Sequence, residues 1–306
     1  MDWSSGIKGF RAYLMLERSL SKHSVDAYSR DVKKLAEFAI TELKLSSPLQ
    51  LEPKNFESFI VWINEFGIGA ATQARILSGI RAFYKYLLIE DLIEDDPTDL
   101  MEGPKMARKI PEVLSYEEIE KVLKAIDLSN PLGHRNRAIL ETLYACGLRA
   151  SELISLRLSN IIRELGVIKI IGKNNKERIV PIGEEALKHI DLYLENTRRH
   201  LPSIDAGSRD IVFLNRRGKK MSRVMLFTIV RSAVKAAQIE KTVSPHTFRH
   251  SFATHLVEGG ANLKAVQDML GHESITTTEI YTHMNTEFLR QTVLMYHPRN
   301  ILQKDN

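Results

Sequence analysis

Between residues 95 and 114 the apolar rhythm of this chain stops. The stretch reads DDPTDLMEGPKMARKIPEVL and contains three prolines, one glycine and no helical period. Proline removes a backbone donor and disfavours helix in the residue before it, so a continuous helix does not run through this segment. Regular apolar spacing resumes on both sides. The pattern predicts two packed bodies, residues 1–105 and 106–306, joined by a linker long enough to let them embrace a third object. At 306 residues, each body has enough chain to build its own core.

The first body reads as a small four-helix domain. Ile7, Phe10 and Leu14 form one apolar stripe, and Tyr28, Val32, Leu35 and Phe38 form another. Ile76, Ile80, Phe83, Tyr84 and Leu87 give a third. Spacings of three and four place such residues on one face of a helix. Gly67 and Gly69 punctuate the chain between helices. This domain shows no cluster of chemistry-bearing side chains.

The second body opens with a capping box, Ser115-x-x-Glu118, ahead of Ile119, Val122, Leu123 and Ile126. Residues 167–182, VIKIIGKNNKERIVPI, place two β-rich runs around a Lys-Asn-Asn-Lys turn, which predicts a hairpin. DIVFL at 210–214 is a candidate further strand. Ser222 is placed to cap a helix over 224–237 that carries Arg231 and Lys235. The expected fold class is therefore mainly α (α+β): a helical first domain, then a mostly helical domain with a small antiparallel β-sheet.

Charge and cysteine content narrow the function classes. Residues 1–105 hold 13 basic and 16 acidic side chains, whereas 106–306 hold 30 and 22, so the positive charge sits in the second body. A basic region suits a phosphate-bearing partner, although a solvated basic surface looks the same by count. The single cysteine, Cys146, excludes an intramolecular disulfide and a cysteine-based metal cage. A reducing compartment, the cytoplasm, is expected. The start MDWSSGIKGF lacks the basic and apolar regions of a signal peptide. No run approaches the 18 apolar residues of a membrane span.

The densest chemistry lies in SPHTFRHSFATHL, residues 244–256. His246 and Arg249 are three apart, on one helical face within reach of one small anion. In LGHESITTTEIYTH, residues 270–283, Gly271 lets the backbone turn and deliver His272. Tyr281 follows on a helix expected to begin near Ser274. In YACGLRASEL, residues 144–153, Gly147 precedes Arg149 at an expected helix start. Each piece alone has a plain explanation, as a capping arginine or a packed tyrosine. His246, His250 and His255 lack the H-E-x-x-H spacing of a zinc site. Paired glycosidase carboxylates and a Walker-type phosphate loop are missing from the sequence. Cys146 reads as a small buried residue.

Order and spacing together are more specific. Arg149 is followed by Lys173 on the hairpin, then His246-x-x-Arg249, Gly271-His272 and Tyr281. Through GLRASEL, IIGKNNKERIVPI, SPHTFRHSFATHL and LGHESITTTEIYTH, the chain resembles the tyrosine recombinases, the phage-integrase family of site-specific DNA recombinases. LSKHSVDAYSRDVKKLAEF is similar to the family's SAM-like core-binding segment, and TEFLRQTVLMYHPRN to the tail of its Xer group.

The resemblance implies a catalytic set of Arg149, Lys173, His246, Arg249, His272 and Tyr281. Tyr281 would be the nucleophile and form a 3′-phosphotyrosyl link. His246 would be its base and Lys173 the acid for the departing 5′ oxygen. Arg149, Arg249 and His272 would hold the phosphate oxygens. The resemblance implies no metal and no ATP or other cofactor. It implies double-stranded DNA as partner and a tetramer on DNA, with a second recombinase of XerC type or with copies of itself. An FtsK-type translocase could activate such an assembly, and the tail around Phe288, Leu289, Leu294 and Tyr296 would dock on a neighbouring protomer. Chromosome-dimer resolution, integration or excision of a mobile element, and type IB topoisomerase action all fit this chemistry. A non-catalytic DNA-binding module fits poorly with six intact side chains.

Overall fold

The computed structural model describes residues 1–99, 101–104, 112–172, 177–271 and 283–298; in the last stretch it describes side chains from Phe288 on. The chain divides into two compact units, Met1–Lys109 and Ile110–Asn306. The centre of the sequence-read linker, residues 105–111, lies outside the described residues. Among the described residues, no helix is long and apolar enough to cross a membrane.

Among the described residues, the first unit holds four α-helices, α1 (Trp3–Leu16), α2 (Lys22–Thr41), α3 (Pro53–Glu65) and α4 (Ala70–Ile89). Asp2 and Ser21 accept hydrogen bonds from the backbone N–H groups of Ser5 and Ser24, satisfying donors that open helix ends leave free. The three apolar stripes face one core. Phe10, Val32, Leu35, Ile80, Phe83 and Leu87 are completely buried there. Phe10 meets Phe83 edge-on, with ring centroids 5.3 Å apart.

The second unit opens with α5 (Tyr116–Lys124), whose Ser115 and Glu118 form the expected capping box. Next come α6 (Gly133–Cys146) and the short α7 (Ala150–Ile154). The three-stranded antiparallel sheet follows, with β1 (Ile161–Ile162), β2 (Val167–Ile171) and β3 (Glu177–Pro181) in that order. β2 and β3 pair from Val167↔Pro181 to Ile171↔Glu177. The hairpin's turn, residues 173–176, lies outside the described residues. Among the described residues, helices α8 (Glu184–Asn196), α9 (Arg223–Ala236), α10 (Pro245–Glu258), α11 (Leu263–Leu270) and α12 (His283–Tyr296) follow. The Ser222 side chain accepts from Met225 N–H and caps α9.

One expectation is corrected. Residues 210–214 form no strand; Ile211 and Leu214 make only isolated bridges to Arg157 and Lys220. Ile211, Val212, Phe213 and Leu214 are all buried, so these β-prone side chains report core packing and not a ladder. The third strand is β1, too short to show a period. The tail helix α12 packs on its own unit through Leu289 and Val293, followed by buried His297, with Phe288 exposed.

Candidate active site

Helix α6 ends at Gly147, whose φ of +56° is a left-handed cap. A Cβ there would lie 2.4 Å from Phe252 Cδ1, so both backbone and space demand glycine. The chain then turns through buried Leu148 to Arg149, the N-cap of α7. Glu152, one turn into α7, accepts from Arg149 N–H at 2.8 Å and from Arg149 Nη1 at 2.9 Å. The side chain of Arg149 is thereby held against its own helix with its guanidinium part-exposed.

Glu152 is the hub of a buried charge cluster. Arg178, on β3, makes a fork-to-fork pair with it, Nη1 and Nη2 each 2.8 Å from one carboxylate oxygen. Arg249, in the second turn of α10, brings Nη1 to 3.9 Å of the same carboxylate. Burial alone would raise the Glu152 carboxyl, but the bonds and charge of Arg178, then of Arg149, hold it below the ordinary value.

The same three arginines tie down the end of α11. The last carbonyls of a helix have no partner within it. Met269 O accepts from Arg178 Nε at 2.8 Å, Leu270 O from Arg249 Nη2 at 2.6 Å, and Gly271 O from Arg149 Nη2 at 3.1 Å. Arg249 Nη1 also donates to Gly147 O at 2.7 Å, joining the ends of α6 and α11. Gly271 has φ +65°, the second left-handed glycine of the site, and His272 is the next residue.

Three guanidiniums surround one carboxylate, so positive charge is in excess. Burial, then the neighbouring Arg149 charge, push Arg249 down to about 10, still protonated at neutral pH. A guanidinium carries five N–H donors. The bonds above engage two on Arg149 and two on Arg249. An anion placed beside these side chains would relieve their mutual repulsion, and a phosphate matches their planar donors.

Of the sequence-read residues, the structure brings Arg149 and Arg249 together. His246 is exposed in the first turn of α10, behind the Ser244–Thr247 cap. His250 is exposed, while His255 is buried and bonds Tyr144 Oη through Nδ1 at 2.8 Å. Lys173, His272 and Tyr281, with the helix start read near Ser274, lie outside the described residues. Sequence reasoning missed Glu152 and Arg178. Glu152 carried a signal, an acid three residues after a helix-start arginine; Arg178 carried one too, a charge two residues before Val180 on the same face of a strand. Among the described residues, no His, Cys, Asp and Glu group could hold a metal. Cys146 is free and buried, its thiol pushed up by burial.

Residues 112–287 match the phage integrase family, and residues 7–91 match the phage integrase N-terminal SAM-like domain. The tyrosine recombinase XerD of Listeria monocytogenes serotype 4b (strain F2365) is 39% identical over 293 residues, spanning 96% of this chain and 98% of that protein. The chain belongs to the tyrosine recombinase family. It is a site-specific recombinase, an enzyme of DNA strand transfer, as its four motifs led us to expect. Within the family, curated relatives named XerD match this chain at full length. This recombinase also shares its fold with XerH bound to palindromic difH substrate, at TM-score 0.70 and 23% identity over 91% of this chain and 81% of that one. A lambda integrase tetramer bound to a Holliday junction matches at TM-score 0.68 and 19% identity, over 94% and 77% of the two chains. Both likenesses speak for the fold.

Proposed function

We propose that this recombinase works in the cytoplasm on double-stranded DNA, resolving chromosome dimers at one specific site with a partner recombinase. The observation that carries the biology is the full-length match to XerD proteins, at 39% identity across both domains. The observation that supports the chemistry is the pairing of Arg149 and Arg249 around Glu152, with positive charge in excess.

The reaction follows from what a phosphodiester requires. Its charge repels nucleophiles, so fixed cations must sit at the non-bridging oxygens as negative charge builds there. Arg149 and Arg249 supply them and His272 adds a donor. Tyr281 Oη attacks phosphorus, the phosphorus–O5′ bond breaks, and a 3′-phosphotyrosyl link forms. A tyrosine hydroxyl has an ordinary pKa near 10, so it needs a base; His246 takes its proton. Lys173 gives a proton to the departing 5′ oxygen. The 5′-hydroxyl of a second strand then attacks, and the phosphorus–tyrosine bond breaks. Bond energy is conserved through the covalent intermediate, and the exchange needs neither ATP nor metal. Strand exchange between two duplexes requires four active sites, which supports a tetramer; the lambda integrase relative was solved as one on a Holliday junction.

The test is denaturing capture, in the host, of DNA covalently attached to this protein, with Tyr281→Phe as control. One Tyr281-dependent chromosomal site is the expected result. Adducts at the ends of a mobile element would replace dimer resolution by integration, and adducts without sequence preference would point to a topoisomerase.

A further inference from the structure

Arg178 lies in neither the sequence-read catalytic set nor the phosphate-facing surface. Its side chain is only 6% exposed, so it cannot reach a duplex. Yet it touches each part of the site that has to be held. Two N–H groups bind both oxygens of Glu152, the carboxylate that fixes Arg149 and faces Arg249. Its Nε binds Met269 O, three residues before His272. Its Cδ lies 3.1 Å from where a Cβ on Gly271 would stand, so the stem forms the floor beneath the turn that leads to His272. It sits on β3, the strand that leaves the hairpin carrying Lys173.

A strand built only to be buried would carry an apolar residue here. Val180, two residues along on the same face of β3, is apolar and completely buried, and an isolated buried charge on that face is costly. The guanidinium is compensated because all three bonded atoms belong to the site: two carboxylate oxygens and one helix-end carbonyl. Lysine could supply the charge but not this planar three-point fit.

We propose that Arg178 is a positioning residue for strand cleavage: it locks Glu152 and the end of α11 together, so that Arg149 and Arg249 present one fixed pair of guanidiniums to the scissile phosphate. It touches neither phosphate nor nucleophile. The inference rests on the proposed roles of Arg149, Arg249 and Tyr281.

The test uses the full chain on a nicked duplex carrying the site recovered by covalent capture, under single turnover. Arg178→Lys and Arg178→Gln are compared with wild type for thermal midpoint, DNA dissociation constant and rate of 3′-adduct formation. Cleavage should fall by about 100-fold in both variants while DNA affinity stays within about three-fold, the pattern of a lost transition-state contact. A substrate with a 5′-bridging sulfur, whose leaving group needs no acid, should not restore the rate, because the defect lies at the arginines and not at Lys173. Glu152→Gln with Arg178→Gln should be no slower than the slower single variant, since both act through one link. If Arg178→Lys retains the wild-type midpoint and cleaves at the wild-type rate, the proposal is overturned. It is equally overturned if cleavage and DNA binding decline together in proportion to unfolded protein, or if the sulfur substrate restores the rate. Failure of wild type itself to form a Tyr281 adduct would instead overturn the active-site reading.

Discussion

At Gly147 two demands meet on one α-carbon. The left-handed cap of α6 requires φ +56°, and the Phe252 ring occupies the space a side chain would need. Gly147→Ala should therefore combine backbone strain with overpacking and cost roughly 2–4 kcal/mol. Urea unfolding checks this: the midpoint should fall while the slope is unchanged. A loss below about 0.5 kcal/mol, the range of an indifferent surface change, would mean the ring simply moves aside. Because Gly147 O accepts from Arg249 Nη1, the variant should also slow cleavage beyond its loss of stability. The residue scale also shows what was legible from sequence. Arg149 and Arg249 stood out because glycine, helix starts and three-residue spacing mark them locally, and the family resemblance gave them their roles. The Glu152–Arg178 pair joins residues 26 apart, and Arg178 reaches Met269 across 91. Such partners are set by tertiary packing, which a periodicity does not encode.

At the scale of elements, α6, α10 and the residue after α12 are joined by one buried group of rings. Tyr144 Oη meets His255 Nδ1, and the Tyr144 and His297 rings lie 4.7 Å apart. Burial lowers His255 below the ordinary value of 6.5, although Glu258 and Glu117 oppose this. A base with a lowered folded pKa is neutral in both states above pH 6.5, so it adds no pH dependence there. Below 6.5 the unfolded chain binds a proton that the folded chain resists, and stability falls with pH until the folded pKa is passed. Thermal midpoints between pH 7.5 and 5.5 should thus decline more steeply in wild type than in His255→Gln, which is less stable at pH 7.5 but lacks this titration. Parallel slopes would contradict the assignment. Most elements were visible in the sequence: the stripes of α1, α2 and α4, the Ser115 and Ser222 caps and the β2–β3 hairpin all follow from local chemistry, whereas α3 was counted but not placed. Residues 210–214 misled because four consecutive apolar side chains look alike in a strand and in an irregular buried segment. β1 has two residues and no pattern to read.

At the scale of the whole molecule, charge is divided unevenly. The second domain carries the excess of Lys and Arg. DNA affinity should be dominated by phosphate contacts, with the logarithm of the binding constant falling against the logarithm of salt at a slope steeper than about −4. A slope near zero would mean that charge plays no part in binding. In the proposed reaction this recombinase breaks DNA by making Tyr281 the new partner of a 3′-phosphate. The most direct measurement is mass spectrometry of the peptide that stays attached to DNA after cleavage of a nicked site and protease digestion. A single modified residue, Tyr281, bearing a 3′-linked nucleotide is expected, with no attached peptide from Tyr281→Phe. A link to any other residue, or to a 5′ end, would contradict it.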